Sequence, residues 1–317
     1  MIGWTLAAAL TLGSLAAVAA VMSAAIALVA HPLGRRVART APSDRASWFF
    51  ALRMLPLASG AFVAYAIVLP TFLWFEPADA REAIAPSLAL AALAGAWLSA
   101  AAARRAVAAW RATRALAHTW RAHGVRLASL DAPLPVYAID EDYPIVAVVG
   151  FRRPELFISR TVLRACSDDE LRAMVRHECA HVAAHDNLKR FALRASAGTL
   201  PGTRALDALW ASAAEEAADA AAAASRPDVS ADLAQALIRV ARLAVKAPRP
   251  LAVSAFYSGG SIDARVRRLL ECPCATAPHG SRIALAVLAL VAGAAATALA
   301  FAPSLHHGLE ALVRSLP

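Results

Sequence analysis

The run Met54–Phe75 carries no charged side chain, and as a helix it is long enough to cross a bilayer, which takes about 20 residues. Ile2–Ala30, Ala83–Ala103 and Ile283–Leu305 share that property. The chain is 59% hydrophobic and 17% charged, where a soluble domain has about 45–50% apolar residues. The expectation is a mainly α membrane protein with four transmembrane helices. Trp48, Phe49, Phe50, Trp74 and Phe75 are placed as interfacial aromatics around the second run. Pro56 and Pro70 fall near its ends, where a helix tolerates proline best. The first run is too long for a signal peptide, and no positive charge precedes it, so it reads as a retained anchor.

Charge sets the orientation. Arg35, Arg36, Arg39 and Arg45 follow the first run, and Arg104, Arg105, Arg111, Arg114 and Arg121 follow the third. The loop after the second run is acidic, with Glu76, Asp79 and Glu82. Positive loops stay inside, so residues 104–281 are expected in the cytoplasm of a bacterial cell, with the N-terminus and a short tail outside. The net charge of +9 sits largely in arginines flanking spans, which suits anionic lipid headgroups. No helix-turn-helix or zinc-finger pattern appears, so direct nucleic-acid binding is not expected.

Within that segment lies His177-Glu178-Cys179-Ala180-His181. Residues four apart share a helix face, so His177 and His181 can offer imidazoles to one metal ion. Glu178, one position on, can reach a water on that metal without being a ligand. This is the HExxH arrangement of zinc hydrolases. Ser167 with Glu170 reads as a capping box, and Leu171, Met174, Val175 and Val182 supply an apolar face, which predicts a helix over about 168–190. A third ligand is needed. Glu215 lies in an alanine-rich helical run with Asp219 four residues later, placed to hold a ligand imidazole by its other N–H. Glu216 and His185 are rival ligands. Tyr257, Arg265 and His279 are candidate donors to a reaction oxyanion. Zn2+ is the expected cofactor.

Around the motif, residues 104–125 read as a basic amphipathic continuation of span three, with Trp110 and Trp120 suited to the membrane surface. Pro135–Ile139 is a strand candidate, and Ile145–Val149 with Glu155–Ser159 a hairpin whose edge can pair with an extended substrate. Leu206–Ser225, Ala231–Lys246 and Ile262–Leu270 read as helices. Cys166, Cys179, Cys272 and Cys274 lie in the cytoplasmic part, where thiols stay reduced; Cys179 reads as packing, and Cys272-Pro273-Cys274 is too sparse to define a second zinc site.

With these residues in view, the chain resembles the bacterial integral-membrane zinc metallopeptidases of the BlaR/MecR type, related to the HtpX/CAAX-protease group. The resemblance runs over the spans, residues 154–159, residues 169–188, Glu215–Asp219 and residues 265–270. It implies a cytoplasmic α+β, gluzincin-like zinc protease domain at 104–281. That domain lies between a three-span region at 1–103 and a fourth span with a short external tail at 282–317. By the same resemblance His177, His181 and Glu215 bind zinc, Glu178 is catalytic and Asp219 orients His177. Asp186 stands where the group usually carries Asp. The implied partners are the lipid bilayer and a protein substrate, such as a transcriptional repressor; in the HtpX/CAAX relatives the role is quality control of membrane proteins. Members that sense β-lactams carry a penicillin-binding domain after the last span, and this chain is expected to lack that external sensor. Cys179 stands where an aliphatic residue is usual.

Overall fold

The computed structural model describes residues 2–37, 40–75, 84–128, 130, 132–196, 204–223, 226–245 and 262–271. The fourth expected span, Tyr257, Cys272, Cys274 and His279 lie outside the described residues.

Among the described residues, three helices are long and apolar enough to cross a membrane: Gly3–Leu28, Pro42–Trp74 and Pro86–His123. The first lies within α1 (Ile2–Val37). The second comprises α2 (Pro42–Phe62), a π-helical stretch (Val63–Val68) and α3 (Leu69–Phe75). The third is α4 (Pro86–His123). Lipid tails are as apolar as leucine, so these helices gain by close packing rather than by leaving water. Gly95 shows it: a Cβ there would meet the Leu12 carbonyl oxygen at 2.0 Å. Pro56 proves to lie inside α2 rather than near an end, because the helix begins at Pro42. Pro70 is the second residue after the π-helical stretch. Its ring would strike the Ala66 carbonyl in a regular α turn, and the wider turn accommodates it.

The basic continuation of span three is not a separate helix but the end of α4, and its Trp120 packs into the domain core. α4 is one unbroken helix, about 57 Å long at 1.5 Å per residue, against about 30 Å of hydrocarbon. Its last third carries Trp120 and Arg121 to Phe157 and Glu155. Trp120 is buried, donates from Nε1 to Glu141 Oε1 at 2.8 Å and packs 5.3 Å from the Phe157 ring. Arg121 pairs with Glu155. Trp110 stays half exposed, with Arg114 over its ring.

The stalk ends in a four-stranded sheet of order β1-β2-β4-β3. Its strands are β1 (Val125–Leu127), β2 (Val136–Ile139), β3 (Val146–Val149) and β4 (Glu155–Ser159). β2 runs parallel to β4, while β1 and β3 pair antiparallel with their neighbours. The two-residue alternation of strands gives each face its own core. Ile139, Ala147, Val149 and Phe157 pack on Trp120. Val136, Val146, Leu156 and Ile158 pack on Leu171, Met174 and Val175 of the motif helix. The expected hairpin forms with Val146 opposite Ile158, and Gly150 turns it at φ 94°. β3 is the sheet edge, yet Val146, Ala147 and Val149 are buried; Val148 alone of the strand is half-buried.

After α5 (Arg160–Ala165) the expected single helix divides into α6 (Asp168–Ala183) and α7 (Asp186–Ser196). His185 separates them in the left-handed region at φ 57°. α8 (Arg204–Ala223), α9 (Pro227–Val245) and α10 (Ile262–Glu271) complete the described part. Leu233, Leu237 and Val240 of α9 join the core of α6. α8 docks on α2 through Phe49, Leu206, Trp210, Ala213 and Ala214. Buried Arg53 reaches Asp207 at 2.7 Å, and Arg45 pairs with Glu216. Part of the arginine excess thus binds carboxylates of α8 rather than headgroups.

Candidate metal centre

The capping box places the motif on its helix. Ser167 Oγ accepts from the Glu170 N–H at 3.3 Å, and Glu170 Oε2 accepts from the Ser167 N–H at 2.8 Å. Two free donors of the helix start are thereby satisfied, with three acidic residues at the positive end of the dipole. His177, Glu178 and His181 follow on the buried face.

α8 crosses that face and delivers Glu215. Its Oε2 is 3.5 Å from His177 Nε2, and its Oε1 is 3.5 Å from His181 Nε2. Zinc bonds to N and O of about 2.0–2.2 Å put tetrahedral ligand atoms about 3.4 Å apart. His177, His181 and Glu215 form a buried group able to hold a metal ion. Behind them, Asp219 Oδ1 lies 2.9 Å from His177 Nδ1, and Asp186 Oδ2 lies 2.7 Å from His181 Nδ1. Each carboxylate holds the proton on Nδ1 and leaves Nε2 as the ligand atom.

The electrostatics call for a cation. Glu178, Asp186, Glu215 and Asp219 are all buried, and the guanidiniums of Arg265 and Arg190 approach them, with Lys189 at the rim. Burial opposes a charge on His181, but the hydrogen bonds to Asp186 and Glu215 overcome it and raise its pKa to about 10. His177 moves up likewise, with burial again opposing and Asp219 and Glu215 prevailing. Glu215, despite its burial, is held well below the usual carboxylate range by both histidines. Glu178 goes the other way. Burial raises its pKa against the pull of His181 and His177. A general base has that kind of carboxylate. Its Oε2 accepts the Val148 N–H at 3.2 Å; its Oε1 is buried with no hydrogen-bond partner among the described residues, as suits an atom meant for a water. The donor set therefore fits a divalent cation of the zinc type.

The sequence candidates separate cleanly. Glu216 turns away to Arg45, Arg268 and Ser212, so it is no ligand. His185 is exposed at the turn and is no ligand either. Arg265 is pinned, with Nε and Nη2 on Asp219 at 2.7 and 2.6 Å and Nη1 at 3.2 Å from Glu215 Oε2. It positions carboxylates rather than facing a substrate. Cys179 is half-buried against the core, in keeping with packing. Three residues carried no sequence signal. Arg190 approaches Glu215 Oε1 at 3.0 Å, Val148 meets Glu178, and Asn187 ties the end of β3 by donating to the carbonyls of Val148 and Gly150.

Residues 121–252 match Peptidase family M48. That segment runs from the end of α4 through α9 and holds all four residues of the His-Glu-His-Glu group. The M48 match supports a metallopeptidase, and the three membrane-capable helices fit a membrane-associated form. No curated protein and no solved structure matches the chain.

Proposed function

We propose that the protein is a zinc-dependent endopeptidase of a bacterial cytoplasmic membrane, with the M48 segment on the cytoplasmic side. The observation that carries it is Glu178, whose buried Oε1, without a hydrogen-bond partner among the described residues, stands beside the His177–His181–Glu215 group. Bound zinc supplies a Lewis acid for the scissile carbonyl and lowers the pKa of a water. Glu178 takes that water's proton and delivers it to the leaving amine. Asp219 and Asp186 keep the imidazoles in the tautomer that offers Nε2, and Arg265 holds Asp219 and Glu215 in place.

The role that the BlaR/MecR resemblance supports is regulated proteolysis of a cytoplasmic repressor or similar protein. The HtpX/CAAX-like reading, cleavage of membrane proteins in quality control, has a separate support in the docking of α8 on the membrane helix α2. Zinc content and peptide cleavage of full-length Glu178→Gln, Glu215→Ala and Glu216→Ala proteins test the reading. Glu178→Gln is expected to keep zinc and to lose about 100–10,000-fold in rate. Glu215→Ala should lose zinc, while Glu216→Ala should keep it. Undiminished cleavage by Glu178→Gln would rule out Glu178 as the general base, whereas zinc retained with no cleavage by parent and variant alike would leave a non-catalytic zinc-binding scaffold as the better reading.

A further inference from the structure

The turn at His185 sends two consecutive side chains in different directions. His185 stands in the left-handed region at φ 57°, and α7 starts directly after it. Asp186, the first residue of α7, reaches back to His181 Nδ1 at 2.7 Å. Asn187, the second, reaches the hairpin, where its Nδ2 donates to the carbonyls of Val148 at 3.0 Å and Gly150 at 2.8 Å. Val148 in turn donates its N–H to Glu178 Oε2 at 3.2 Å. The sheet register explains why Val148 can do so. Leu156 gives its N–H to the Pro135 carbonyl on the β2 side, and Val148 lies opposite Leu156. Such a pair exchanges no ladder hydrogen bonds, so the N–H and C=O of Val148 both face the sheet edge. Glu178 takes one and Asn187 the other. An extended substrate that adds to β3 meets both groups already engaged.

We infer that Asn187 is a positioning residue for Glu178: by fixing the end of β3 it fixes the Val148 N–H, and through that N–H the aim of the carboxylate. This rests on the peptidase reading above. Glu178 has several rotatable side-chain bonds and, among the described residues, this one hydrogen bond; its Oε1 has none. Where the N–H stands therefore decides where Oε1 points. Asn187 clasps the chain on either side of Val149, where β3 passes into the turn at Gly150. Both protons of one planar amide are used, which a hydroxyl with a single proton cannot copy. Phe151 packs on Phe191 of α7 with ring centroids 5.2 Å apart, so the hairpin keeps a second hold on α7 when Asn187 is replaced. Neighbours on one turn thus divide the work. Asp186 serves a metal ligand, and Asn187 serves the base.

The test compares full-length parent, Asn187→Ala and Asn187→Asp proteins in detergent, on one cleaved peptide drawn from a mixed pool. In Asn187→Ala, kcat should fall by about 10–100-fold, the scale of a reacting group displaced by about 1 Å, with KM little changed. Zinc affinity by chelator competition should stay at the parent value, because Asn187 makes no hydrogen bond to His177, His181 or Glu215. Asn187→Asp keeps the size but sets acceptors against both carbonyls, so it should be slower than Asn187→Ala. A merely structural role predicts otherwise: zinc affinity would fall in step with kcat, and Asp, the closer match in size, would outperform Ala. Either result, or a kcat in Asn187→Ala at or above the parent's, would overturn the inference and leave the peptidase reading standing. A second measurement needs no turnover. Hydrogen exchange at the Val148 amide, read by mass spectrometry on zinc-free and zinc-loaded protein, should be about 5–10-fold faster in Asn187→Ala, the weight of one hydrogen bond. Unchanged exchange would show that Asn187 does not hold that amide, and would also overturn the inference. If parent and Glu178→Gln proteins are equally inert on every peptide, the inference and the peptidase reading fail together.

Discussion

Arg265 grips Asp219 with two parallel hydrogen bonds, Nε to Oδ2 at 2.7 Å and Nη2 to Oδ1 at 2.6 Å, while its Nη1 reaches Glu215 Oε2 at 3.2 Å. One guanidinium on α10 thus orders both carboxylates that α8 brings to the histidines. Lysine offers a point charge without the planar fork and cannot hold both. Arg265→Lys is expected to stay folded by circular dichroism yet to bind zinc about 10–100-fold more weakly, the usual effect of losing a partner behind a metal ligand. Chelator competition measures it; unchanged zinc affinity would make the contact incidental to the site.

Asp186 is the counterpart on the other side, holding His181 Nδ1 at 2.7 Å from the first residue of α7. Asp186→Asn keeps the size and removes the charge. Zinc affinity should fall by about 10–100-fold. Lys189, partly exposed and 3.3 Å from the other oxygen of Asp186, serves as the comparison. Lys189→Ala should change affinity much less, and equal losses would mean that charge at the rim matters as much as the hydrogen bond.

Gly95 lets α1 and α4 touch by backbone. Gly95→Ala drives a Cβ to within 2.0 Å of the Leu12 carbonyl oxygen, so the helices must part. A cost of about 1–3 kcal/mol is expected, as for other overpacked contacts. At Gly13 the nearest obstacle is a side-chain atom, Leu88 Cδ1 at 3.1 Å, which can move. Unfolding in detergent should therefore show Gly95→Ala as clearly less stable than Gly13→Ala; the reverse order would contradict the packing.

Burial, with Glu170 adding to it and Arg239 opposing it, pushes the Cys166 thiol up to about 11. A thiol reacts as its thiolate, so at pH 8 only about one molecule in a thousand is competent there. Alkylation of Cys166, followed residue by residue by mass spectrometry, should be slow at pH 8 and accelerate as pH rises toward 11. A rate at pH 8 like that of a free peptide thiol would show that the site opens far more than its packing suggests.

The ligand face of α6, its capping box, the hairpin and three of the apolar runs were all legible in the chain, because each depends on residues within a turn or two of one another. Spacing of four puts His177 and His181 on one side of a helix wherever that helix goes. Glu215 with Asp219 was legible for the same reason. The left-handed turn at His185 was not, since the helical pattern continues through it; that turn lets Asp186, at the start of α7, reach back to His181. An amphipathic tryptophan suits either a headgroup layer or a domain core, and for Trp120 only its burial against the sheet decides.

The sequence by itself determined the type of chemistry and the membrane character, both properties of short windows governed by backbone periodicity and side-chain transfer energy. Only the tertiary structure decided that Arg265 and Arg190 serve Glu215, that Val148 meets Glu178, and that Arg45 and Arg53 fasten the third-ligand helix to α2. Those pairs join residues from about 25 to more than 150 positions apart. Ion pairs at such separation leave no periodicity in the chain; they arise when buried carboxylates, costly to leave uncompensated in a low-dielectric interior, find the guanidiniums that packing brings to them.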